Sequence, residues 1–300
     1  MSVSITSSET INHAAPPAVD TPELGLARLP GPVIRQMPMS VTLDRSQILI
    51  LASTLIGLLH FFGPGTTIAA VGLVPALLFI YNDYQNFLGL GPGGTPSTLR
   101  GYLKISYLRL WALRDPFTAR KPELNSVPSK GILAMKSLPY RMGPKPRVAG
   151  IAPHRQIDQH GSPCCYQALK RSLEKLGLKN PKRFGTGRSF IEKHGLALFA
   201  RHPIQTGYQG EVCHIHDAES SMHMALHPED SKEVLQKGWG QRHPLAWKWW
   251  FLTTPVAADF VMVYAPRDES ELLTVCNIIE GAIWYTAGEE VEVEVYLKSR

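Results

Sequence analysis

Cysteine is scarce in this 300-residue chain. There are four, Cys164, Cys165, Cys213 and Cys276, and no two stand at CxxC spacing. Adjacent Cys164 and Cys165 do not pair readily with each other. That excludes a disulfide framework of the secreted kind and points to a reducing compartment, with all four as small buried hydrophobes. No Gly-x-Ser-x-Gly run is present, which disfavours a triad hydrolase built on a nucleophile elbow. There is no Gly-rich phosphate loop and no internal repeat. No basic n-region followed by an apolar stretch opens the chain, so a cleaved signal peptide is not expected. Lys and Arg are spread thinly from Arg100 to Lys193, with no basic run interleaved with aromatics. Nucleic acid is therefore not an expected partner. The longest absence is of charge itself: residues 48–81 contain no Asp, Glu, Lys or Arg.

What is present divides the chain by texture. Overall it is 44% apolar and 19% charged, ordinary for a chain that buries a core, with a net charge of +6 that favours anionic surfaces such as membrane headgroups. Residues 1–44, rich in Ser, Thr, Pro and Ala, read as a disordered tail. Residues 45–82 read as a hydrophobic membrane segment. Its apolar halves, Ile48 to Phe62 and Ile68 to Tyr81, are each about 22 Å long as helices, against about 30 Å for a bilayer core. A kinked span and a hairpin dipping into one leaflet both follow, and Gly63-Pro64-Gly65 favours a real break. Arg28, Arg35 and Arg45 before the segment balance Arg100, Lys104, Arg109 and Arg114 after it, so orientation is not set by charge.

Residues 83–145 read as an amphipathic and connecting region. Leu99–Leu113 has helical spacing and a basic face, and irregular chain is expected from 115 to 165. Residues 146–300 read as the catalytic domain. Helices are expected at Pro163–Leu176, Pro228–Leu235 and Glu269–Thr286, and strands at Leu196–Ala200, Glu211–His216, Ser221–Leu226, Phe260–Tyr264 and Glu290–Tyr296. Without a βαβ rhythm, this predicts an α+β domain with a largely antiparallel sheet and packed helices.

Six of the 11 histidines fall within residues 202–243, four of them within 14 positions. Successive side chains alternate faces along a strand, so His214 and His216 share one. With Asp217–Ser220 as a hairpin loop, His214 lies opposite His223 and three imidazoles converge. His227 joins that face only if the strand runs on past Pro228. Glu211 reaches it only through a bulge. His243, with Trp239 and Arg242, follows the next helix and can fold back over the patch. Trp247, Trp249 and Trp250 suit a pocket floor, a membrane interface or plain core packing. Three readings of the histidines stand open: a metal held by His214, His216 and His223; metal-free acid, base and oxyanion chemistry; and a structural role.

Several runs resemble the fungal luciferase family: Glu211-Val-Cys-His-Ile-His-Asp217, Met222-His-Met-Ala-Leu226, Lys232 through Gly-Trp-Gly-Gln-Arg-His-Pro-Leu-Ala246, and Tyr264-Ala-Pro-Arg-Asp-Glu269. So does Asp83-Tyr-Gln-Asn-Phe-Leu88, following an apolar anchor. The resemblance implies a membrane-associated oxygenase acting on a 3-hydroxyhispidin-type pyrone, phenol or polyketide. O2 adds to the enolised substrate, carbon dioxide leaves and light is emitted. It implies no cofactor besides O2, although a histidine-bound metal fits the same residues. His214, His216, His223 and His243 carry over as the catalytic candidates, supported by Arg242, Glu211 and Trp239; the substrate-binding candidates are Trp239, His227, Tyr264 and His154. Membrane lipid is the other expected partner, on an intracellular endomembrane with the catalytic domain in the cytosol. A non-luminescent tailoring enzyme (cyclase, decarboxylase or dark oxygenase) and a non-catalytic tethered binding protein are the alternatives.

Overall fold

A computed structural model describes residues 3–5, 41–43, 45–123, 126–205, 207–248 and 254–297. Of the expected tail, this includes only a two-stranded antiparallel pair, β1 (Val3–Ile5) with β2 (Val41–Leu43). Arg28, Arg35, Trp249 and Trp250 lie outside the described residues. The chain divides into two compact units at Asn86 and Phe87.

The first unit is dominated by helix α1 (Arg45–Gly89). Its stretch Leu49–Ala69 is 21 residues long and apolar enough to cross a membrane. The expected break is present: Gly63 leaves helical geometry at φ 79°, ψ 168°. Only glycine adopts such a conformation without strain. Pro64 then opens the next stretch, where a missing N–H costs nothing. The Thr67 hydroxyl donates to the Gly63 carbonyl at 2.9 Å, replacing part of the lost ladder. Ile50, Ile56, Phe61, Phe62, Ile68 and Phe79 are all exposed.

The second unit begins at Phe87, well before residue 146. Most of the segment expected to be a connector therefore belongs to it, with Leu133 and Leu138 in its core. Its elements are α2 (Leu99–Arg109), α3 (Leu133–Lys136), β3 (Val148–Gly150), β4 (His154–Gln156), α4 (Pro163–Lys179), β5 (Phe184–Arg188), β6 (Leu196–Ala200), β7 (Glu211–Ile215), β8 (Met222–Ala225), α5 (Pro228–Gln236), β9 (Gly240–Arg242), β10 (Phe260–Val263) and α6 (Glu269–Ala287). A single 3-10 turn, Gly207–Gly210, precedes β7. Six strands form one sheet in the order β5-β6-β7-β8-β10-β9, antiparallel throughout. The class is thus α+β, as expected.

Strand parity decides what each face of that sheet carries. Cys213, Ile215, Met222, Met224, Val261 and Val263 pack with Leu169 and Leu173 of α4 and Val275, Ile279 and Ile283 of α6 in the main core. The alternate residues, His214, His223 and Met262, share one cross-strand row on the other face. The β3–β4 hairpin sends His154 onto that row. Helix α4 starts where Ser162 accepts from the Cys165 N–H, with Pro163 at its first position. Helix α6 is capped by Asp268 and ended by Gly288 at φ 69°.

Two expected elements differ. Helix α2 stops at Arg109, and the Leu113 N–H donates to the Pro244 carbonyl instead. Glu290–Tyr296 forms no strand, because its neighbours are helices and offer no backbone edge. Side chains hold it: the Val293 N–H donates to Glu280 Oε1 at 2.8 Å, and Arg171 Nε donates to the Tyr296 carbonyl at 3.0 Å.

Candidate functional site

The β7–β8 hairpin builds the site. His214 pairs with His223 and Ile215 with Met222, around the four-residue loop anticipated from the sequence. The loop closes with Ser220 N–H donating to the His216 carbonyl and His216 N–H to the Ser221 carbonyl, both at 2.9 Å. The bulge that Glu211 required is also there. Leu198 faces Cys213 while Phe199 faces Glu211, so Val212 is the extra residue. Glu211 is thereby turned onto the histidine face, where its Oε1 lies 2.6 Å from His214 Nδ1. His154 arrives from β4 and His243 from the segment after β9. The five imidazoles are each no more than 4% exposed.

Five contacts run three of them, His216, His223 and His154, into a string from Glu219 to Tyr264. His216 Nδ1 lies 2.9 Å from Glu219 Oε1, and His216 Nε2 lies 3.0 Å from His223 Nδ1. His223 Nε2 lies 3.0 Å from His154 Nδ1, and His154 Nε2 lies 3.4 Å from the Gln241 amide. The Tyr264 hydroxyl donates to Gln241 Oε1 at 3.1 Å. One assignment of tautomers satisfies every link: each neutral imidazole donates from Nδ1 and accepts at Nε2, so the donors all point from Tyr264 towards Glu219. His214 differs. With Nδ1 donating to Glu211, its Nε2 is a buried lone pair with no partner.

Burial sets the charge states. It pushes His154, His216 and His223 well below the ordinary imidazole value, helped by the neighbouring rings and by Arg155. His243 is lowered to about 3, again chiefly by burial. These four are therefore neutral at working pH. Glu219 is raised by burial to about 7, against lowering by Arg155 and by hydrogen bonds from Ser221.

The remaining candidates separate by place. Trp239 and Tyr264 bracket the buried Arg141 guanidinium, at 5.9 and 5.5 Å. Trp239 Nε1 donates to the Pro139 carbonyl at 2.6 Å. Arg242 is spent on the carbonyls of Thr118, Ala246 and Ala258, so it ties loops together and does not face the imidazoles. The buried cation near the cluster is Arg155, paired with Glu192 and bonded to the carbonyls of Pro92 and His154. His227 is buried away from the string, accepting from the Glu229 N–H as the cap of α5, with its ring 6.0 Å from Tyr285. Sequence reasoning missed Arg155, Glu219 and Gln241. Glu219 alone left a signal, as a carboxylate three residues after His216 across a tight turn. Among the described residues, two trios have nitrogens close enough for one metal: His214, His216 and His223, and His154, His223 and His243.

Comparison with known proteins bears on this geometry. Residues 209–282 match the family model described as the luciferase domain. A luciferase of Armillaria ostoyae is 31% identical over 248 residues, which cover 76% of this chain and 90% of that protein. The luciferase of Armillaria mellea is 31% identical over 245 residues, 73% of this chain and 86% of that protein.

The chain belongs to the fungal luciferase family.

A luciferase of Neonothopanus nambi, 29% identical over 242 residues, extends the likeness to a second genus. No solved structure matches the chain. The luciferase-domain match takes in Glu211, His214, His216, Glu219, His223, Gln241, His243 and Tyr264. His154 and Arg155 lie before it, and the β3–β4 hairpin brings His154 onto the string.

Proposed function

We propose that this luciferase-family chain is a membrane-anchored oxygenase that adds O2 to an enolised pyrone or phenol of the 3-hydroxyhispidin type. Carbon dioxide then leaves and the excited product emits light. The observation that carries the reading is that four of the five buried imidazoles, with Glu211 and Glu219, lie inside the segment matching the luciferase domain. The reaction needs an enol proton removed, the anion held and water kept from a peroxide. Neutral imidazoles accept protons, and a string ending at a carboxyl titrating near 7 carries a proton away from the substrate. Burial of the whole cluster supports water exclusion. The apolar stretch Leu49–Ala69 supports an endomembrane anchor, and four free cysteines suit a cytosolic catalytic unit.

The test is microsomes carrying the full chain, supplied with 3-hydroxyhispidin, with light and oxygen consumption recorded together. Light with oxygen uptake is the expected result. Oxygen uptake in the dark supports the oxygenase and removes light emission. Absence of both overturns the reading.

A further inference from the structure

We propose that His214, His216 and His223 form a site for one divalent first-row transition-metal ion. The first argument is the lone pair on His214. In a protein-only hydrogen-bond scheme, every other nitrogen of this trio has a partner, yet His214 Nε2 is buried with none. An unmet buried acceptor costs about 1–3 kcal/mol. A cation at the centre of the trio meets it.

The second argument is spacing. Ligand nitrogens bound at about 2.1 Å and roughly 90–110° apart are separated by about 3.0–3.4 Å. His216 Nε2 and His223 Nδ1 already stand 3.0 Å apart. The three ligand atoms all lie within 4.8 Å of one another.

The third argument is what stands behind each ring. Metal-binding imidazoles donate their second N–H to a carboxylate, carbonyl or similar acceptor, which fixes the tautomer. His214 Nδ1 faces Glu211, and His216 Nδ1 faces Glu219. His223 Nε2 faces His154 Nδ1, and with Nδ1 on a metal it would donate there, the reverse of its sense in the metal-free row. All three rings are oriented from behind, two of them by buried carboxyl groups. Glu211 is itself fixed by donors from Ser189 Oγ and the Phe190 N–H, at 2.9 and 2.7 Å.

The competing trio is less suited. His243 Nδ1 already accepts from the Leu245 N–H at 3.1 Å, and a backbone hydrogen bond with Ile151 also holds the ring. Three neutral imidazoles suit zinc, iron(II), cobalt(II), nickel or copper, and not magnesium or calcium.

What the ion does rests on the oxygenase reading. Held by His214, His216 and His223, such an ion would act as a Lewis acid towards the enol oxygen of that substrate. The existence of the site does not depend on that reading.

The experiment uses the untagged full chain in mild detergent, stripped with a chelator and titrated with Co2+, following visible absorption and bound metal per chain. Wild type is expected to bind one cobalt and show the visible bands of a histidine-ligated ion. Glu211→Gln, which keeps the shape, is expected to weaken cobalt binding 10–100-fold, and His214→Ala by more. His227→Ala, buried but remote from the trio, is expected to bind as wild type does. The inference is overturned if folded wild type, judged by near-ultraviolet circular dichroism, takes up no stoichiometric cobalt, or if Glu211→Gln binds as tightly as His227→Ala. Oxygen uptake that persists undiminished in the stripped chain sinks the ion's part in the reaction and leaves the oxygenase standing. Saturable cobalt binding with no oxygen uptake under any divalent metal does the reverse.

Discussion

Glu211 shows how much one side chain carries at this site. It accepts from Ser189 Oγ and the Phe190 and Ile191 N–H groups, and it orients His214. Glu211→Ala strands four donors, those of Ser189 and His214 fully buried, so the expected cost is about 3–5 kcal/mol, against about 1–3 for Glu211→Gln, read as unfolding free energies in denaturant. Equal losses in the two variants would refute that account. Asp230 makes a second residue-scale prediction. Burial raises its carboxyl to about 6; one oxygen accepts from the Leu133 N–H at 2.7 Å and the other has no partner. A carboxyl raised by folding stabilises the fold while protonated. That contribution is complete below about pH 4 and lost as pH rises through about 6. The stability of wild type relative to Asp230→Asn should therefore fall between pH 4 and 7, by at most roughly 3 kcal/mol. A pH-independent difference would show that the carboxyl is not perturbed. The Glu211 contact was half legible in the sequence: parity showed that a bulge was required but not that one forms. Arg155 was not legible, because nothing local distinguishes it from the other scattered basic residues.

At the scale of elements, the short edge strand β9 is the sensitive piece. A Cβ on Gly240 would stand 2.3 Å from the Met262 carbonyl oxygen and 3.0 Å from a Val234 methyl. Gly240→Ala must therefore part β9 from β10, at an expected cost of about 2–4 kcal/mol in denaturant unfolding. It should also loosen the Gln241 contact to His154. Unchanged stability would mean that the backbone yields there at no cost. The elements that carry clear periodicity and caps, β7, β8, α5 and α6, are where the sequence reading and the structure agree most closely. β5 and β9 escaped it. Phe184-Gly-Thr-Gly-Arg188 and Gly240-Gln-Arg242 contain the glycines that ordinarily mark turns, and they are strands only because neighbouring strands pair with them. Glu290–Tyr296 failed the other way: its alternation is real, but no strand edge lies beside it.

For the whole molecule, the prediction concerns attachment. The apolar stretch in α1 is expected to keep the full chain in the membrane fraction through a high-pH carbonate wash. A chain lacking residues 45–82 is expected in the supernatant. Recovery of the intact chain without detergent would refute the anchor. The length and apolarity of this segment were plain in the sequence, and so was its break at Gly63. The extent of the second unit was not, because the irregular chain from Phe87 to Gly150 earns its place by burial and not by pattern. The string from Tyr264 to Glu219 has a last consequence. Each neutral ring in it can pass a hydrogen bond in only one sense at a time, so the whole row must share a polarity. Reversing one ring means reversing them all and turning over the Gln241 amide. Tyr264, on the far side of the cluster from the hairpin loop, therefore reports which way the row is set, and the row behaves as a single two-position register spanning three strands and a turn.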